Sequence, residues 1–253
     1  MYDSSDSTLL TNRISDAVYN ARERYMTGIF GFSDEKEQSI LLGILKSIGF
    51  TDFVFWGGYT DAERKCLGIF PDTPDTGYFP ISFIRIDGDR FSSISHRDCM
   101  GTLLGCGIKR EILGDIVLIN EHSAYAAVFD QDNMADYLSR SITRVGRATV
   151  KCSVMPEGFI PDIKREFENL SFTVSAMRID SIVAGAVHTS RSAAVKLINE
   201  GLVTLNHLPC TKPDRQIKSG DVFSVHRKGK FVVEDDGGLT KKDKIRVNIK
   251  KYL

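Results

Sequence analysis

Arg178, Ser190, Arg191, Ser192 and Lys196 form the stretch of this sequence whose residue types and spacing suit phosphate recognition. A helix is expected to begin at Ser190, whose hydroxyl can accept hydrogen bonds from free backbone N–H groups of the first turn. Arg191 then stands where those N–H groups and the positive end of the helix dipole point outward, a natural anion site. Its planar guanidinium can grip a phosphate through two parallel hydrogen bonds. Ser192, Lys196 and Asn199 fall on the solvent side of the same helix. Arg178 has two readings: a second phosphate contact, or a structural partner of Asp180 or a neighbouring carboxylate. Lys212, Arg215, Lys228 and Lys230 belong to expected loops and widen the cationic footprint.

The elements that must position these groups are legible nearby. Ile179, Ile182, Val183 and Ala186 recur at i, i+3, i+4 and i+7, one apolar helical stripe. Ala194, Leu197 and Ile198 give the helix after Ser190 its buried side, and Gly201 sits where a helix favours a left-handed residue. Val203 and Leu205 alternate with Thr204 and Asn206, as in a half-buried strand. Residues 218–221, Lys-Ser-Gly-Asp, read as a turn into a strand over 222–225. The pattern predicts a helix pair backed by a small sheet.

Charge is segregated along the chain. The 253 residues carry 33 Lys+Arg and 33 Asp+Glu, a formal net charge of zero. Residues 176–253 hold 15 basic against 8 acidic side chains, whereas residues 1–175 hold 18 against 25. A basic C-terminal segment on an acidic body points to nucleic acid at one end. Hydrophobic content of 42% and charged content of 26% are ordinary for a folded soluble protein. No apolar run is long enough to span a bilayer, and the polar, acidic start Met-Tyr-Asp-Ser-Ser-Asp is not a secretory signal. The five cysteines, Cys66, Cys99, Cys106, Cys152 and Cys210, form no C-x-x-C pair and read as reduced, mostly buried residues of a cytoplasmic protein.

The expected fold class is α+β in three small domains: a mixed segment over 1–75, a split βαβ segment resembling RNA-recognition-motif folds over 76–170, and the basic segment over 171–253. In the first, Ser33 can cap a helix carrying Ile40, Leu41, Ile44, Leu45 and Ile48, ended by Gly49, with strands over 53–56 and 66–70. The breaker cluster 71–77 marks the first boundary. In the second, strands over 81–86, 115–119, 124–129 and 147–152 interleave with helices over 95–106 and 133–142, giving β-α-β-β-α-β. Tyr125 and Phe129 share a strand face and read as core, with base stacking the lesser alternative. A short helix is expected to lead into the third segment.

The order Arg178-Ile-Asp180, Thr189-Ser190-Arg191-Ser192, Gly201-Leu-Val-Thr-Leu-Asn206 and Lys218-Ser-Gly220-Asp221 resembles an S4 domain, a small RNA-binding module. The middle segment adds a long string that runs from His96-Arg97-Asp98 through Gly101, Gly105, Gly107 and Lys109-Arg110-Glu111 to Gly114-Asp115-Ile116. Together they resemble the YlmH family of bacterial S4-domain proteins over most of the chain. That resemblance implies a non-enzymatic, cytoplasmic RNA-binding protein of ribosome-associated quality control. Its partners would be structured rRNA and tRNA and the large ribosomal subunit with peptidyl-tRNA, with a gene-neighbourhood link to cell division. Arg97, Lys109 and Arg110 are possible further RNA contacts, although Lys109 and Arg110 serve a helix C-terminus equally well.

Motifs for catalysis are missing. His96-Arg97-Asp98 lacks every other kinase feature, and no phosphate-binding glycine loop, dinucleotide fingerprint or metal-ligand spacing is present. The sequence runs out soon after the S4-like segment, so no catalytic domain is expected to follow. No metal, cofactor, membrane or small-molecule substrate is expected. The competing readings are an RNA-modifying enzyme with a site near His96, Arg97 and Asp98, and an interaction scaffold for division factors.

Overall fold

Ile14, Val18 and Ala21 recur at helical spacing and are buried, which sets the inner face of α1 (Ser4–Arg24). After β1 (Gly28–Ser33) comes α2 (Glu35–Ile48), then β2 (Phe53–Trp56) and β3 (Lys65–Ile69). The structure, a computed structural model, describes residues 4–162, 167–235, 238 and 244–252. The cap of α2 is Asp34 rather than the expected Ser33. Asp34 accepts from the Glu37 N–H and the Glu37 carboxylate accepts from the Asp34 N–H, each at 2.8 Å. That reciprocal pair satisfies two free donors at once, while Ser33 belongs to β1 and donates its hydroxyl to the Lys65 carbonyl. Gly49 ends the helix at φ 67°. The strands form an antiparallel sheet in the order β1-β3-β2, and α1 and α2 bury Leu41, Leu45, Leu67 and Ile69 against it.

The next run is β4 (Ile81–Gly88), α3 (His96–Gly105), β5 (Leu113–Leu118), β6 (Ser123–Phe129), α4 (Met134–Ser141), β7 (Arg144–Val145) and β8 (Ala148–Val154). The sheet order is β5-β6-β4-β8-β7, all neighbours antiparallel. The expected β-α-β-β-α-β order is present, with the short β7 added at an edge. Both helices pack on one face over Ile84, Ile86, Leu113, Val128 and Val150. Phe83, Ala127 and Phe129 point the other way and share a core with Phe32, Tyr59, Cys66 and Phe70 of the first segment. Residues 75 and 76 therefore mark a change of sheet within one compact unit, Met1–Ile163. Phe129 is core, and Tyr125 lies against Phe159 with ring centroids 5.1 Å apart.

The second unit, Lys164–Leu253, begins differently from expectation. In place of a short helix there is β9 (Phe167–Val174), so the strand crosses the expected 170/171 boundary. Then follow α5 (Ile179–Ala186), α6 (Arg191–Asn199), β10 (Val203–Leu205), β11 (Leu208–Pro209), β12 (Val222–Val225), β13 (Gly229–Asp235) and β14 (Ile245–Tyr252). The antiparallel sheet runs β11-β10-β12-β13-β14-β9. The eight residues of α5 are too few for a stable isolated helix. Full burial of Ile179, Ile182 and Val183 contributes about 1.5–3 kcal/mol for each side chain and holds it in place. A Cβ on Gly185 would meet the Phe172 ring at 2.3 Å, so only glycine lets α5 lie this close to β9. Gly201 ends the α6 region at φ 71°.

All five cysteines are free, and burial pushes the Cys99 and Cys152 thiols up to about 11. Among the described residues no helix is long and apolar enough to cross a membrane.

Candidate nucleic-acid interface

Arg178 and Arg191 meet on one carboxylate. Arg178 Nη2 and Arg191 Nη2 and Nε each lie 3.0 Å from Asp180 Oδ2. The Ser181 N–H donates to Oδ1 at 2.8 Å, with its hydroxyl at 3.3 Å. The Asp180 side chain is 2% exposed, against 33% for Arg178 and 52% for Arg191. Burial alone would push this carboxyl up, but the hydrogen bonds from Arg191 and Arg178 outweigh it and hold Asp180 below its usual range. The trio carries one net positive charge. Asp180 fixes one edge of each guanidinium and leaves other N–H donors facing outward. Ordering both side chains beforehand lowers the entropy cost of gripping an anion.

Of the two sequence readings of Arg178, the geometry shows the partner of Asp180, with a third of the side chain still exposed. Ser190 caps α6 as expected, accepting from the Ala193 N–H at 3.2 Å, and its hydroxyl lies 3.0 Å from that of Ser192. Lys196 is exposed on the same helix, 3.9 Å from Glu200. The loop over 212–217 is fastened to the start of α5: the Ile179 N–H donates to the Arg215 carbonyl and the Asp180 N–H to that of Pro213. This places exposed Lys212 and Arg215 beside the Arg178 end of the cluster. Asp221, also buried, accepts from the Lys218 N–H and from Asn206 Nδ2, and ties that loop to β10.

Lys228 and Lys230 do not join this group. They follow the far end of β12, where the His226 N–H donates to the Leu202 carbonyl beyond α6. Lys230 lies over the Tyr252 ring, 4.9 Å from its centroid. In the first unit, Lys109 and Arg110 open a 3-10 turn (Arg110–Ile112) rather than closing a helix, because α3 already ends at Gly105. Lys109 is exposed, whereas Arg110 Nη1 donates to the Leu113 carbonyl and burial lowers its pKa. Arg97 is exposed on the first turn of α3. Its neighbour Asp98 accepts from the Ser95 hydroxyl at 2.6 Å and gives that hydroxyl its own N–H, so this carboxylate serves the helix cap.

Sequence reasoning passed over Arg64, the most buried arginine described, at 9% exposed. Its Nε donates to the Leu113 carbonyl, and Nη2 to those of Phe32 and Arg110. Burial lowers its pKa, against the opposing pull of Glu37, Asp34 and Asp115. Asp115 accepts from Tyr59 Oη and from the N–H groups of Glu63 and Arg64. Arg64 borders a cleft of about 900 Å³ that Arg13, His96 and Lys109 share with Glu37, Glu63 and Glu111. That mixed lining lacks the single-sign field that draws in a polyanion. Among the described residues no group of three or more His, Cys, Asp or Glu side chains is arranged to hold a metal ion.

A helix pair on a small antiparallel sheet, with one arginine at the start of each helix, defines an S4-type module joined to a second α+β unit. Residues 177–223 match the S4 domain, and residues 74–157 match the family described as "Putative RNA-binding domain in YlmH". The chain is 30% identical over 233 residues to the ribosome-associated protein quality control protein P2 of Bacillus subtilis (strain 168), covering 91% of this chain and 89% of that protein. The solved structure of cell division protein ylmH from Streptococcus pneumoniae shares the fold at a TM-score of 0.50 and 18% identity, over 62% of this chain and 94% of that one. The chain belongs to the YlmH family of S4-domain proteins.

Proposed function

We propose that this chain binds structured RNA through the start of α6 and thereby docks on the ribosome, in quality control of stalled translation. The observation that carries the reading is the pair of guanidinium groups held on buried Asp180, with donors left facing outward. Arg178 and Arg191 grip backbone phosphates. Ser190, Ser192 and Lys196 extend the contact along α6, and Lys212 and Arg215 extend it from the neighbouring loop. Recognition depends on RNA shape, since A-form duplexes hide most base edges in a deep, narrow groove. The kinship with a protein named for ribosome-associated quality control supports the ribosome as the site of action. The target we assign is the large subunit carrying peptidyl-tRNA, in the cytoplasm, without metal, cofactor or catalytic step.

Ribosome pelleting with Arg191→Ala tests this. A folded variant is expected to lose about 1–3 kcal/mol of binding free energy, roughly 5- to 150-fold in affinity. If about five phosphates are neutralised, the wild-type log–log salt slope falls near −3 to −4. Undiminished binding by the folded variant would remove Arg191 from the interface.

A further inference from the structure

Phe91 is 97% exposed, yet the loop that carries it is firmly built. Asp89 Oδ1 accepts from the Phe91 N–H at 3.0 Å, and Oδ2 accepts from the Thr149 N–H at 3.2 Å. The Asp89 N–H donates back to the Thr149 carbonyl. On the other side, buried Ile94 anchors the loop, and its N–H donates to the Glu121 carbonyl. The ring is thus held at the tip of a pinned turn, outside the core.

Arginines gather at the same end of the five-stranded sheet. Arg90 precedes Phe91. Arg144 pairs with Thr149 across β7 and β8, on the opposite side of β8 from Asp89. Arg147 sits in the turn between those strands, and a Cβ on Gly146 of that turn would lie 3.1 Å from Asp98, the neighbour of Arg97. Arg90, Arg97, Arg144 and Arg147 are all exposed, and none makes an ion pair among the described residues. Arg85, by contrast, is bound to Asp87 at 2.9 Å. The four arginines outnumber the carboxylates at this end, Asp89, Asp98 and Glu121, and Asp89 and Asp98 are already engaged by the Phe91 and Thr149 N–H groups and the Ser95 hydroxyl, which leaves a local cationic excess.

We propose that this end of the sheet is a second RNA contact, where Phe91 stacks on an unpaired base and Arg90, Arg97, Arg144 and Arg147 hold the flanking phosphates. It rests on the reading of the chain as an RNA binder and adds a different kind of target. A lone ring on a loop tip gains by covering a base that no neighbouring base already covers, which a duplex does not offer. Phenylalanine and arginine are common at protein interfaces too, but four arginines around one ring call for several counter-charges at once, which a phosphate backbone supplies with every nucleotide.

The test compares a fluorescently labelled RNA hairpin with the same hairpin bearing a single-stranded oligouridylate tail, using the full chain. The tail is expected to tighten wild-type binding, and Phe91→Ala to lose about fivefold or more of that gain while binding the blunt hairpin normally. Arg144→Gln with Arg147→Gln should flatten the salt slope on the tailed RNA by about 0.7 per arginine. Because the Phe91 side chain is almost wholly exposed, its replacement leaves the fold intact. Arg191→Ala should weaken both RNAs alike; if it weakens neither while the tail effect persists, the S4 reading fails and this contact stands. A tail without effect on wild type, or full tail-dependent binding by Phe91→Ala, overturns the proposal. So does a Phe91→Ala variant that sediments poorly with ribosomal subunits yet keeps the whole tail effect, since the surface would then meet protein.

Discussion

Arg64 and Arg191 carry the same cation and use it in opposite ways. Arg64 is enclosed by the first unit and gives its donors to the carbonyls of Leu113, Phe32 and Arg110. Arg191, in the second unit, gives two donors to buried Asp180 and keeps half its side chain in solvent. An arginine whose donors end on backbone carbonyls joins strands together. One whose donors end partly on a carboxylate is aimed, with capacity to spare for a ligand. The destination of the N–H groups, more than the residue type, separates structural from recognition arginines.

The largest effect that would sharpen this contrast belongs to Arg64. Arg64→Ala should lower unfolding stability in urea by about 3 kcal/mol or more, because three hydrogen bonds from one buried guanidinium are lost together with its packing. Arg64→Lys should rescue little, since an ammonium cannot match the planar fork. Neither change should alter RNA affinity while the chain stays folded. A stable Arg64→Ala protein with reduced RNA binding would reverse the assignment.

Asp180→Asn comes next. It adds one net positive charge but releases both guanidinium groups, so aiming and simple attraction predict opposite signs. Affinity for RNA is expected to fall by about 1 kcal/mol, roughly fivefold. Tighter binding would show that charge alone governs the site.

A pH series probes the same carboxylate. Its pKa is depressed in the folded state, so its stabilising contribution is complete above the ordinary aspartate range near 3.9. That contribution is lost as pH falls through the lower folded value. Hydrogen exchange of the α5 amides should therefore stay protected down to about pH 4 and weaken below it. Asp180→Asn should lack that acid step. The smallest effect is expected from Lys228→Ala with Lys230→Ala, about 0.5 kcal/mol or less, because these cations stand apart from the cluster.

Much of the S4-type module could be read directly from residue order. The stripe Ile179, Ile182, Val183 and Ala186 is buried as its spacing implies, Ser190 caps α6, and 203–205 and 222–225 are strands. These are local signals of periodicity, capping and turn chemistry. The strand β9 escaped because its stability comes from β14, more than 70 residues later: Phe167 pairs with Tyr252 and Val174 with Ile245. Local pattern in Phe-Glu-Asn-Leu does not reveal so distant a partner. Arg64 escaped for a related reason, since between Glu63 and Lys65 it reads as surface until two sheets close over it. Phe91 left a clue that was passed over, a large ring flanked by Arg90 and two serines in a turn region. The helix over 95–106 was legible to within a residue at each end, but the separate 3-10 turn that takes Arg110 leaves no local pattern to mark it.

Because β9 and β14 lie side by side at one edge of their sheet, the portable piece is larger than the recognisable motif. A transplant limited to 177–223 would leave behind Phe231, Val233, Val247 and Ile249, which complete the hydrophobic interior. A graft spanning 167–252 would carry its own closure, with both splice points on neighbouring strands. Recombination, in the laboratory or in evolution, should therefore move this cassette whole.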